Sequence, residues 1–184
     1  MSVAAYLAEG CRWYVLIALL AAAIGKTLYF RRFRDSLDEA FVRLKGNGNR
    51  LAAAAIVTGE WTAALSMLAG GALSRMGLML ALALFVVLTA VVAVVLAKGL
   101  SVRCNCFGPS QRRISGYDLL RNLLFIAAAS SGVYGASAAA ASGVSGGFAW
   151  PAVAAIAAVA ATLFLLSIGL REIVHLLRIR AEDL

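Results

Sequence analysis

Residues 76–97 read MGLMLALALFVVLTAVVAVVLA. At roughly 1.5 Å per helical residue this run spans the ~30 Å hydrocarbon core of a bilayer, and it carries no charged side chain. Apolar residues fill every side of it, so it has neither the one-sided stripe of a soluble helix nor the two-residue alternation of a barrel strand. Such a segment is solvated by lipid as a helix that closes its backbone hydrogen bonds within itself.

Working outward, four more segments repeat the pattern: 13–30, apolar except for Lys26; 51–73, apolar except for Glu60; 117–141; and 148–170, with Pro151 in a first turn that tolerates proline. The composition agrees. Of 184 residues, 62% are hydrophobic and 14% charged, with a mean hydropathy of +0.89; soluble domains run near roughly 45–50% and 25%. The chain reads as an all-α, multi-pass integral membrane bundle of about five transmembrane helices, forming one membrane domain over 1–184.

Segment 31–45 reads differently. Phe33, Leu37, Phe41 and Leu44 recur at helical spacing among Arg31, Arg32, Arg34, Asp35, Asp38, Glu39, Arg43 and Lys45, the pattern of an amphipathic helix lying in the membrane interface. The tail from Arg171 is charged and is expected to continue as a short surface helix, with His175, the only histidine, as an interface residue.

Lys and Arg total 17 against 9 acidic residues. Sorted by loop, Arg12 and Arg75 stand on one side and fourteen others on the opposite side, with Arg121 just inside the fourth span. The positive-inside rule therefore predicts an outside amino terminus, with the carboxyl terminus and the 98–116 loop cytoplasmic. The same placement assigns the net +8 to lipid headgroups, and no zinc spacing, phosphate loop or aromatic-basic surface points to nucleic acid.

The 98–116 loop, KGLSVRCNCFGPSQRRISG, holds Cys104 and Cys106. A disulfide between cysteines one residue apart closes only in a tight ring, since the α-carbons must come within about 4.4–6.8 Å. Strain makes such a bond easy to reduce, as a redox disulfide is. Arg103, Arg112 and Arg113 favour the attacking thiolate, and Asn105 and Gly108 tolerate a left-handed turn. Ordinary reduced thiols and a metal site are the alternatives, the metal being disfavoured because no histidine is near and zinc wants four N or S ligands.

Ionisable residues inside a bilayer are costly and mark function. Lys26, Glu60, Arg121 and the cysteine pair all belong to one membrane face, because successive spans alternate in direction, whereas Cys11 belongs to the other. Lys26 and Arg121 either snorkel to headgroups or line the site; Glu60 is either a neutral packing residue or part of the chemistry. Ser115 and Asp118 form a capping-box-like start to the fourth span, Asp118 and Arg121 stand three apart, and Gly132 with Ala136 suggests close helix packing. Trp61, beside Glu60, is a candidate cavity residue.

Gly25-Lys26 late in the first span, Glu60 in the second, Cys104-Asn105-Cys106-Phe107-Gly108, and a fourth span opening with Asp118, Arg121 and Asn122 together resemble the MauE family of methylamine utilisation proteins, grouped with DoxX-type redox-associated membrane proteins. The resemblance covers about residues 13–141 and implies a four-helix DoxX-like core, to which the fifth span is added. It also implies an inner-membrane role in maturing methylamine dehydrogenase, by disulfide formation, processing or transport of its disulfide-rich small subunit beside a thioredoxin-like MauD-type partner. Cys104 and Cys106 would carry the thiol-disulfide relay, and Lys26, Glu60, Phe107, Gly108, Arg121 and Asn122 would shape the site, with no metal. A membrane quinone is a candidate second electron carrier. The rival expectation is a non-catalytic assembly or export factor.

Overall fold

The computed structural model describes residues 3–40, 47–100, 102, 113–141 and 149–182. They form α1 (Val3–Leu28), α2 (Phe30–Ala40), α3 (Asn47–Ala69), α4 (Gly71–Ala97), α5 (Gly116–Ala141) and α6 (Trp150–Glu182). All except α2 are long and apolar enough to cross a membrane, so the chain is an all-α, multi-pass membrane bundle.

Helices α1, α3, α4 and α5 form a ring in which each packs on two neighbours. The register is read from opposing residues. Lys26 meets Glu60 while Arg12 reaches Met67, so α1 and α3 are antiparallel. Gly77 lies against Ala63 and Met67, and Gly59 against Leu84, which makes α3 and α4 antiparallel as well. Leu78 faces Gly132 and Phe85 stacks on Phe125, and α5 returns to α1 with Gly135 against Ala8 and Gly132 beside the Arg12 amide. The result is an up-down-up-down bundle whose core contains Val15, Leu16, Leu19, Met67, Leu78, Phe85 and Phe125. Helix α6 docks outside the ring on α1, running parallel to it from Gly10 against Ile156 to Tyr14 against Ser167.

Several boundaries are set by backbone chemistry. The α3–α4 reversal occurs at Gly70 and Gly71, at φ +75° and +56°, so Ser74 and Arg75 lie in the first turn of α4 instead of forming the connection. Helix α4 ends in a Schellman motif: the Leu100 amide bonds the Val95 carbonyl and the Gly99 amide bonds that of Leu96, with Gly99 at φ +61°. Helix α1 starts at Val3, well before residue 13, and Glu9 and Arg12 pair with each other on one face of the added turns. Helix α6 continues through the charged tail to Glu182, so the tail is helical as an extension of the fifth span.

Helix α2 forms the expected amphipathic helix over residues 30–40; the rest of the expected 31–45 stretch lies outside the described residues. It follows α1 after a break at Tyr29, and its apolar stripe, Phe33 and Leu37, is buried against Ala53, Ile56 and Val57. The stripe is covered by α3, and the α2 carboxylate of Asp38 accepts a hydrogen bond from Asn49 of α3.

Candidate functional site

A charged group stays in an apolar interior only if its charge is balanced and its hydrogen bonds are made. Lys26 and Glu60 meet that condition. Each is 1% exposed, and Lys26 Nζ lies 2.5 Å from Glu60 Oε1. Glu60 stands near the middle of α3 and Lys26 in the last turn of α1, so the pair bridges two ring neighbours. The ammonium also sits 5.3 Å from the centre of the Phe33 ring, a cation–π contact that ties α2 to the pair. One residue further along both helices, the Trp61 indole donates to the Thr27 hydroxyl at 3.2 Å, which in turn donates to the Ala23 carbonyl. Lys26 therefore does not snorkel, and the Trp61–Thr27 bond is a second tie between α3 and α1.

The start of α5 supplies further buried polar groups. The Ser115 amide and hydroxyl both donate to Asp118 Oδ2, at 2.9 and 3.1 Å, which closes the capping box. Asp118 Oδ1 pairs with Arg121 at 3.2 Å. Arg121 and Asn122 are 9% and 8% exposed, so neither side chain reaches out to headgroups. The Arg121 charge also acts on the Tyr14 phenol of α1, whose other partner is Ser167 of α6. Above them Phe125 contacts Tyr14, Phe85 and Phe164 with ring centres 5.1–6.4 Å apart, separating this end from the apolar half of the core.

The cysteine loop is approached from both sides. The Ile114 amide bonds the Val102 carbonyl at 3.0 Å, and Val102 is 3% exposed. The two stems are thus joined and tucked against the bundle. Cys104, Cys106, Phe107 and Gly108 lie between them, outside the described residues. Of the other expected site residues, Lys26 and Glu60 are brought into direct contact, while Arg121 and Asn122 are buried on α5 at the same end of the ring. Cys11 is a partly buried free thiol towards the other end of α1.

Sequence reasoning did not pair Lys26 with Glu60, although opposite charges on adjacent antiparallel spans were the available signal. It also missed the cluster at the far end, where Arg12 donates to the Met67 carbonyl at 2.9 Å and pairs with Glu9, which accepts from Trp13 at 2.9 Å. The i,i+3 spacing of Glu9 and Arg12 was the clue there.

Residues 4–135 match the family model described as Methylamine utilisation protein MauE. No curated protein and no solved structure matches the chain. The match spans α1 to most of α5, including both stems of the cysteine loop, and leaves α6 outside. The chain belongs to the MauE family, and with it to the methylamine utilisation proteins.

Proposed function

We propose that this MauE-family chain is an inner-membrane protein that assists maturation of the methylamine dehydrogenase small subunit through thiol-disulfide exchange at Cys104 and Cys106. The supporting observation is the family match across a loop whose stems are clasped at the polar end of the bundle, beside buried Arg121 and Asn122. The partner is a thioredoxin-like protein of the MauD type. One thiolate attacks a disulfide sulfur of the partner to give a mixed disulfide, and the second cysteine displaces the partner as a dithiol. Two electrons pass to the partner, and Cys104 and Cys106 become a disulfide; the reverse sequence oxidises the partner.

The basic-residue count assigns the loop to the cytoplasmic face and the amino terminus to the outside. A relay serving a periplasmic enzyme then needs a second carrier to link the two faces. A membrane quinone is the proposed carrier, treated as a co-substrate from the bilayer, with no step of the exchange routed through it.

The test replaces both loop cysteines with serine and measures mature dehydrogenase in cells. Loss of maturation supports the relay; undiminished maturation overturns it in favour of a non-catalytic assembly or export factor. Labelling intact cells with a membrane-impermeant thiol reagent fixes the face. Cys104 and Cys106 are expected to stay unlabelled until the membrane is opened, and labelling from outside reverses the orientation.

A further inference from the structure

Lys26 and Glu60 come from α1 and α3, but a third helix walls one side of the pair. Phe33 of α2 holds its ring 5.3 Å from Lys26 Nζ and is itself 3% exposed, while both ions are 1% exposed. What keeps α2 in place is a small contact. Among the described residues its buried stripe is Phe33 and Leu37, set against Ala53, Ile56 and Val57, with a polar tie from Asn49 to Asp38. Only Tyr29 separates α2 from α1, and the amides of Tyr29 and Phe33 still bond the carbonyls of Gly25 and Tyr29 at 3.1 Å. The join is a one-residue pivot on which α2 turns as a stiff piece.

The energetics of lifting α2 differ from those of opening an apolar core. Uncovering a core exposes apolar surface alone. Uncovering this site also returns two ions to water, and the hydration they recover offsets part of the apolar contact that is lost. The docked position is therefore less strongly favoured than a contact of the same area over an apolar core. The released stripe also has a second place to lie. An amphipathic helix with Arg31 and Arg32 exposed beside its apolar face suits the headgroup boundary of a bilayer.

We infer that α2 is a movable cover: it pivots as a unit about Tyr29 between a position docked on α3 and one in the lipid interface, and so governs access from water to the Lys26–Glu60 pair. The inference goes beyond the relay reading and does not depend on it. It makes the buried pair a gated site that opens by local release of one helix, without unfolding of the ring.

The test reads the Lys26 amine. The full chain in lipid nanodiscs is treated at fixed pH with the water-soluble acylating reagent sulfo-NHS-acetate, and acetylation of Lys26 is followed by mass spectrometry, with exposed Lys98 as the internal standard. In the wild type Lys26 is expected to react at a measurable rate, at least about tenfold slower than Lys98. Phe33→Ala and Leu37→Ala each weaken the docking of α2, and each is expected to speed Lys26 at least about tenfold, because truncating a buried large side chain costs more than a factor of ten requires. Leu37→Ala is the decisive variant, since Leu37 stands one turn beyond the ring that touches Lys26. Gly77→Ala loosens α3 from α4 at the far end of the ring and is expected to leave the Lys26 rate unchanged.

Acceleration by both α2 variants and not by Gly77→Ala carries the inference. Acceleration by Phe33→Ala alone reduces Phe33 to a local plug and overturns it. Equal acceleration by Gly77→Ala assigns the exposure to unfolding of the ring and overturns it as well. So does a Lys26 that reacts as fast as Lys98 in the wild type, or one that stays unmodified in wild type and Leu37→Ala alike. If Phe33→Ala does not assemble, Leu37→Ala against Gly77→Ala decides.

Discussion

At the end of the bundle where α3 turns into α4, helices approach through hydrogen atoms. A Cβ on Gly77 would lie 2.7 Å from the Ala63 carbonyl oxygen and 2.8 Å from Met67 Cγ, and one on Gly135 would overlap Ala8 Cβ. The polar contacts there are structural: Arg12 supplies a hydrogen bond to a carbonyl in the last turn of α3, where no amide of the same helix is available. The opposite end buries Lys26, Asn49, Glu60, Arg121 and Asn122 at 9% exposure or less. Helix association in lipid has no hydrophobic drive, so it relies on close packing and on polar ties. One end of this molecule relies mainly on the first and the other on the second.

The largest expected effect breaks the polar end. Lys26→Met leaves the Glu60 carboxylate buried beside an apolar side chain, and loss of one partner of a buried pair costs about 3–5 kcal/mol. Thermal unfolding in detergent should show this loss, and Lys26→Met combined with Glu60→Leu should recover most of it. If the single variant melts like wild type, the contrast between the two ends is wrong. Gly77→Ala probes the packed end. The added methyl meets backbone as well as side chain, so α3 and α4 must separate, at about 1–3 kcal/mol. Its effect should appear in the same thermal melt, as a loss smaller than that of Lys26→Met. A smaller effect is expected at the α4 terminus, where Gly99→Ala places a Cβ at φ +61° and costs about 1 kcal/mol despite open space around it. Gly116→Ala, also in open space but without a positive φ, should stay within about 0.5 kcal/mol.

How much of this was legible varied with the range of the interaction. Lys26 and Glu60 stood out as charges inside apolar runs, and Ser115 with Asp118 announced a helix start, because those signals are local. The fate of the Phe33 and Leu37 stripe was not local. Period and composition mark an amphipathic helix without naming what covers its apolar stripe, and only the structure identifies Ala53, Ile56 and Val57 of α3. The α3–α4 turn was misplaced because Arg75 drew the boundary, whereas two consecutive glycines carried the left-handed backbone that the reversal needs. The cysteine loop was identified by its residues, and the structure adds its clasped stems.

Sequence alone determined that this chain dissolves in lipid as helices, how often it crosses, and which few charged residues interrupt the apolar runs, since transfer of side chains from water to hydrocarbon depends on their chemistry and little on their neighbours. Tertiary structure decided the partners. Lys26 meets Glu60 and not a headgroup, the α2 stripe packs on α3, and Phe125 rather than a polar group fills the middle of the core. Those outcomes depend on ring order and helix register, which are set jointly by glycine contacts and long-range pairs that no single segment encodes.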